Sequence, residues 1–274
     1  MTVPERPRGE PMFTIPTVVV ALTGVLVAIQ LLRSALLTPM QDAGVLVLFA
    51  FIPARYAGDV FAFYVLPTGP EGALWSVLNT GAAVWSFLTY ALLHGSVTHL
   101  LVNALWLVAF GSALARRFGA ARFLIFSAVC AVAGAALHLA IYFGDMVPVV
   151  GASAAISGLM AGASRFVFQL GGPLGVLRIG DERAYRIPAD SLAETIRNRR
   201  ALIFLAVWFG INLLVGLGSG TVLGSGASIA WEAHVGGFLA GLFLFPLFDP
   251  VTPRGPVRSG GGGGFGGGPG DRAA

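Results

Sequence analysis

Apolar residues along this chain come in long runs that charge does not interrupt. No acidic or basic side chain falls within 11–32, 72–115, 123–144, 146–164 or 201–231. A stretch of about 18 or more apolar residues without charge is long enough to cross a bilayer as a helix. The amphipathic helix of a soluble protein would show polar residues every turn or so. The pattern predicts six spans, at about 14–35, 98–115, 122–143, 151–169, 201–218 and 229–248. The expected fold class is therefore an all-α membrane protein. The N-terminal run is longer than a signal-peptide core and continues into Leu31, Leu32 and Arg33 with no small-residue cleavage pattern, so it reads as the first span.

Composition strengthens this picture. Charged residues make up 11% and hydrophobic residues 56% of the 274 positions, against about 25% and 45–50% in ordinary globular domains. All 17 cations are arginine, and their placement predicts orientation. Arg6 and Arg8 precede the first span, and Arg116, Arg117 and Arg122 lie between the second and third. Arg178 to Arg200 fill the link between the fourth and fifth, and Arg254, Arg258 and Arg272 follow the sixth. The alternate loops hold only Arg33 and Arg55. Positive residues remain in the cytoplasm, so both termini are expected there and the protein in the inner (plasma) membrane. Arginines divided among segments in this way do not form a nucleic-acid surface. Cys130 is the single cysteine, which excludes an intrachain disulfide and a cysteine-based metal cluster.

The chain divides into a cytoplasmic segment 1–13, a six-span region 14–248 and a flexible glycine-rich tail 249–274 containing GGGGFGGGPG. The loop from about 36 to 97 is rich in aromatic residues (Phe51, Phe61, Phe63, Tyr64, Trp75, Trp85) among prolines and glycines. Such rings favour the membrane interface, so the loop is expected to lie partly immersed on the outer side. In the stretch 171–200, Asp190 or Ser191 is placed to cap a short helix with Glu194 in its first turn.

Polar side chains inside a bilayer are costly and carry a functional expectation. The candidates are His99, Asn103, His138, Ser153, Ser157 and His234. Depth follows from counting to the charge at each cytoplasmic end. From Arg165 to Ser153 is 12 residues, from Asp249 to His234 is 15 and from Arg116 to Asn103 is 13. These are about 18, 22 and 20 Å along a helix. In a hydrocarbon layer about 30 Å thick, all three share a slab roughly 8–12 Å below the outer surface. His99 lies one turn from Asn103 on the same helical face, and His138 also falls near this depth.

Ser153 lies in VVGASAAISG, where Gly151 permits a tight entry into the helix and Ser153 stands in the first turn. Backbone N–H groups there lack intrahelical partners and, with the helix dipole, favour an anion. Packing of small residues is the competing explanation for such a segment. His234 lies in WEAHVGGFLAG, whose Gly237 and Gly241 allow a neighbouring helix to approach closely. The fourth span offers matching small residues in Ala154, Gly158 and Gly162, or Ser153, Ser157 and Ala161. A histidine so placed can take the serine proton and later return it to a leaving group. No acid joins the pair: Glu232 is two residues from His234 and points away, and Asp145 lies in the outer link.

Together these residues resemble the rhomboid family of intramembrane serine proteases. HGSVTHLLVNALW, with His94, His99 and Asn103, GASAAISG, and AHVGGFLAG occur in the family's order over roughly residues 14–248. The resemblance implies a six-transmembrane-helix rhomboid-like bundle with a long, partly immersed loop between helices 1 and 2. It implies that Ser153 is the nucleophile and His234 the general base. It also implies that His99, Asn103 and the backbone N–H of Ser153, with that of Ala152, hold the oxyanion, while His94 anchors the loop. Substrates would be transmembrane proteins within the lipid bilayer, and neither a metal nor an organic cofactor is required. Three positions depart from the family pattern. Ala154 replaces the usual glycine after the nucleophile, Ser157 stands where many members place an aromatic ring, and Ser86 replaces the arginine of the loop motif while Trp85 and Thr89 are kept.

Two rivals give different roles to the same residues. A haem-binding protein would use two of His99, His138 and His234 as axial ligands, and a non-catalytic binder would merely hold other membrane helices. The sequence contains no HExxH motif and no paired intramembrane aspartates, so metal-dependent and aspartyl intramembrane proteolysis are excluded.

Overall fold

A computed structural model describes residues 15–58, 61, 65, 71–174, 182–222 and 230–252. The expected segment 1–13, the tail from 253 onward and part of the glycine-rich link before the last span lie outside the described residues. The described residues form α1 (Thr17–Ala35), α2 (Pro39–Phe49), α3 (Gly72–Thr89), α4 (Val97–Phe118), α5 (Ala120–Ile141), α6 (Ser153–Ser164), α7 (Leu192–Arg197), α8 (Arg199–Val222) and α9 (Trp231–Phe248). Among the described residues every regular element is helical, as expected. Among the described residues, α1, α4, α5 and α9 are long and apolar enough to cross a membrane, with mean hydropathy of 1.3 to 2.2.

At the centre is α6. Every residue from Ala154 to Ser164 is buried, which marks a helix enclosed on all sides by other helices. It packs against α5 and α9, with α4 beyond. Glycine makes this possible, because a Cβ on Gly237 would collide with the Ala154 carbonyl and one on Gly241 with the Gly158 carbonyl. The expected small-residue seam between the fourth and sixth spans therefore forms, in the register Ala154–Gly158 against Gly237–Gly241.

The helix expected as the fourth span is shorter than its hydropathy suggests. Helix was expected over 151–169 but α6 ends at Ser164. The Arg165 backbone then joins another segment: its carbonyl accepts from Asp190 N at 2.8 Å. Its guanidinium Nε donates to Asp190 O at 2.7 Å. A twelve-residue helix is about 18 Å long, well short of the hydrocarbon layer.

The expected loop over 36–97 contains two helices. Thr38 caps α2 in a capping box with Gln41. Trp85 Nε1 donates to Leu48 O at 2.8 Å and Thr89 Oγ1 to Phe49 O at 2.8 Å, tying α3 to the end of α2. Ser86 is fully buried, 3.4 Å from the Tyr56 hydroxyl. The guanidinium of the loop comes from Arg55, which donates to Asn79 Oδ1 at 2.5 Å and to the Val47 carbonyl.

At the opposite end of the bundle, Arg117 is 1% exposed. It donates through Nε and Nη2 to both oxygens of Asp249, at 2.9 and 2.8 Å. Its Nη1 reaches Tyr185 O and Ile187 O at 2.9 and 2.8 Å. This clasp closes the ends of α4 and α9 over the 182–190 segment. Ser191, rather than Asp190, caps α7, in a capping box with Glu194.

Candidate active site

The segment that enters α6 is led down to the site by backbone pairing. Phe51 and Val149 exchange N–H···O bonds of 3.1 and 2.8 Å, and Gly151 N donates to Tyr90 O at 3.0 Å. Gly151 has φ 124, a conformation in which side chains are rarely tolerated. A Cβ there would also lie 2.8 Å from the His99 ring and 3.7 Å from Ser153 Oγ. His99 and Ser153 thus border the same glycine.

Ala152 is the N-cap of α6 and Ser153 its first residue, with the first intrahelical bond running from Ile156 N to Ala152 O at 3.0 Å. By helix geometry the N–H groups of Ser153, Ala154 and Ala155 precede that bond and have no partner within α6. The positive end of the helix dipole points the same way.

His234, in the first turn of α9, lies directly across from this helix start. Its Nε2 is 2.8 Å from Ser153 Oγ. Residues 81 positions apart in sequence are thus in hydrogen-bond contact. On the other side of the ring, Nδ1 is 2.5 Å from Asn212 Oδ1 of α8. Asn212 was not among the residues expected at the site, although the sequence carries a signal for it. It is a polar amide in an apolar span, 12 residues beyond Arg200 and so about 18 Å from that end, the slab assigned to Ser153.

Asn103 is 4% exposed, and its Nδ2 donates to His99 O at 3.0 Å. An amide NH₂ carries two hydrogens, so one remains. The His94 ring, buried at 1% exposure, meets His99 edge-on with centroids 5.1 Å apart. Arg33 Nη1 donates to His94 O at 2.9 Å.

The remaining polar residues have other partners. His138 Nδ1 is 3.6 Å from Glu232 Oε2, and Glu232 accepts from the Tyr142 hydroxyl at 2.8 Å. Glu232 thus faces α5 and not His234. Ser157 Oγ donates to Ser153 O at 2.7 Å, so this hydroxyl is satisfied within α6. The extra methyl of Ala154 fits because Gly134 lies opposite; a Cβ on Gly134 would be 2.5 Å from that of Ala154. A haem reading loses ligands here, since both ring nitrogens of His234 face protein partners and His138 faces a carboxylate.

Long apolar helices wrapped around a buried helix that begins on a serine, with a histidine against its hydroxyl, define a membrane protein with an internal serine–histidine contact. The Rhomboid domain matches residues 81–249, more than half of the chain, and the protein belongs to the rhomboid family. Members of this family are generally intramembrane serine proteases acting on transmembrane substrates in the bilayer, and non-catalytic members exist. No curated protein matches the chain.

Proposed function

We propose that this protein is an intramembrane serine endopeptidase that hydrolyses peptide bonds in or near transmembrane segments of other membrane proteins. The observation that carries this function is the 2.8 Å approach of His234 Nε2 to Ser153 Oγ at the N-terminus of a buried helix. As Ser153 Oγ attacks the scissile carbonyl carbon, its proton passes to His234 Nε2, and the C–N bond breaks as that proton moves to the leaving amine. Water then repeats the sequence on the acyl-enzyme and restores the serine.

The developing oxyanion meets the unpartnered N–H groups at the start of α6, His99 and the free hydrogen of the Asn103 amide, with Ala152 N–H alongside. Each such donor commonly contributes about 10²–10³ in rate. No step calls for a metal or an organic cofactor. A cavity of about 160 Å³ beside His234, lined by Trp208, Phe209, Trp231 and Val235, offers room for an apolar substrate side chain.

Helical carbonyls are internally hydrogen-bonded, so a substrate must unwind before attack. Favoured substrates are single spans with glycine, proline or other weak helix formers near their outer end. The proposed setting has six spans over 14–248, with α6 and α8 joining the four long apolar helices. Both termini, with the segment 1–13 and the tail 249–274, lie in the cytoplasm of a cell whose plasma membrane holds the protein. Exposed Leu74, Val77, Val84 and Leu88 line one face of α3, which supports a loop immersed in lipid.

The test is cleavage of a single-span substrate in proteoliposomes, together with labelling by a fluorophosphonate. Ser153→Ala and His234→Ala should each abolish cleavage, and the probe should be recovered on Ser153. Undiminished cleavage by either variant, or a wild-type protein that neither cleaves nor labels, refutes the reading and leaves a non-catalytic binder of membrane helices.

A further inference from the structure

We propose that Asn212 is the positioning residue of the serine–histidine pair: it holds His234 in the tautomer that leaves Nε2 bare to receive the Ser153 proton. The kinetic consequence rests on the hydrolytic reading above, whereas the tautomer does not.

A neutral imidazole has one N–H and one lone pair, and only the form protonated on Nδ1 can act as a base through Nε2. The neighbour of Nδ1 is Asn212, whose amide could present either an acceptor or a donor. The choice is made inside α8. Asn212 Nδ2 donates to Trp208 O, one turn earlier, at 2.8 Å. Turning the amide over would set Oδ1 against that carbonyl, two acceptors with no proton between them. Oδ1 therefore faces the ring, and it can only accept. The hydrogen between Asn212 and His234 must come from Nδ1, so Nε2 carries the lone pair at the atom 2.8 Å from Ser153 Oγ.

The relay from backbone to amide to imidazole to hydroxyl is anchored at its far end. The Trp208 ring stacks on Phe238 of α9, with centroids 5.0 Å apart and planes at 19°. The helix that supplies the amide is thus packed against the helix that carries the histidine. Asn212 also fills a role for which the obvious candidate is turned away: Glu232, two residues from His234, is engaged with Tyr142 and His138. A neutral acceptor avoids an extra buried charge within the bilayer slab. When His234 becomes an imidazolium during turnover, its Nδ1–H remains bonded to the carbonyl end of the amide dipole. Loss of tautomer control in a serine–histidine site costs up to about 10⁴-fold in kcat.

The experiment combines kinetics with ¹⁵N NMR of histidine-labelled full-length protein in detergent micelles, comparing wild type, Asn212→Leu and Asn212→Asp. Leucine keeps the volume and removes the acceptor, while aspartate keeps an acceptor. In the wild type at neutral pH, His234 should show a protonated Nδ1 and an unprotonated Nε2. In Asn212→Leu that tautomer should lose its dominance, and kcat should fall about 10²-fold or more with KM changed less than threefold. Asn212→Asp should retain the Nδ1–H form and recover at least a tenth of wild-type kcat. A wild type protonated mainly on Nε2, or a tautomer unchanged in Asn212→Leu, overturns the proposal. If the tautomer responds as expected while the wild type neither cleaves nor labels at Ser153, Asn212 keeps its positioning role and the hydrolytic reading falls.

Discussion

Gly134 touches neither reacting atom, yet its replacement by alanine should disable the site. It lies on α5 against the residue that follows Ser153 and the residue that precedes His234. A Cβ at Gly134 would be 2.5 Å from Ala154 Cβ and 2.7 Å from Ala233 O. Ordinary carbon contacts start near 3.5 Å, so α6 and α9 must yield by about 1 Å, and they carry the two halves of the proposed catalytic pair. Overpacking of this kind typically costs about 1–3 kcal/mol. Misplacement by 1 Å can cost about 10²-fold in rate. Gly134→Ala should therefore lose about 10²-fold of cleavage in proteoliposomes, while the thermal midpoint in detergent falls by about 2–4 °C for each kcal/mol lost. Combining it with Ala154→Gly removes one of the two collisions and should restore part of the rate. Gly134→Ala with wild-type turnover, or no rescue in the double variant, would show that the three-helix contact does not set the Ser153–His234 geometry.

Other regions lead to separate expectations. Arg117 and Asp249 form a buried bidentate pair, so Asp249→Ala leaves an uncompensated guanidinium and should cost about 3–5 kcal/mol, measured by unfolding in mixed micelles; a loss below about 1 kcal/mol would contradict it. Burial, with smaller contributions from His99 and Arg33, pushes the His94 pKa down to about 4. Between that value and the ordinary 6.5 the unfolded chain binds the proton and the folded chain does not. Stability should consequently fall as pH drops from 6.5 toward 4, with a ceiling of about 3 kcal/mol. His94→Gln should flatten that slope in thermal melts across the same range, and an unchanged slope would show that His94 stays accessible to protons.

The membrane class and the apolar runs were legible from charge spacing alone, because the cost of placing a charge in hydrocarbon is a local property of each residue. The same local logic singled out His99, Asn103, Ser153 and His234, since a polar group in an apolar run is conspicuous without any knowledge of its neighbours. Depth counting added that they share a level, and helical rise is indeed local. Contact is not. That Ser153 Oγ meets His234 Nε2 depends on how α6 and α9 are rotated about their axes, and the close approach at Gly158, Gly237 and Gly241 decides that rotation. Asn212 acquires a meaning only once α8 is laid against α9. The end of α6 at Ser164 likewise escaped hydropathy, because Arg165 breaks off to bond the backbone of Asp190, 25 residues away. Ala154 looked like an obstacle in one dimension. In three dimensions the room for its methyl is provided by a glycine on another helix.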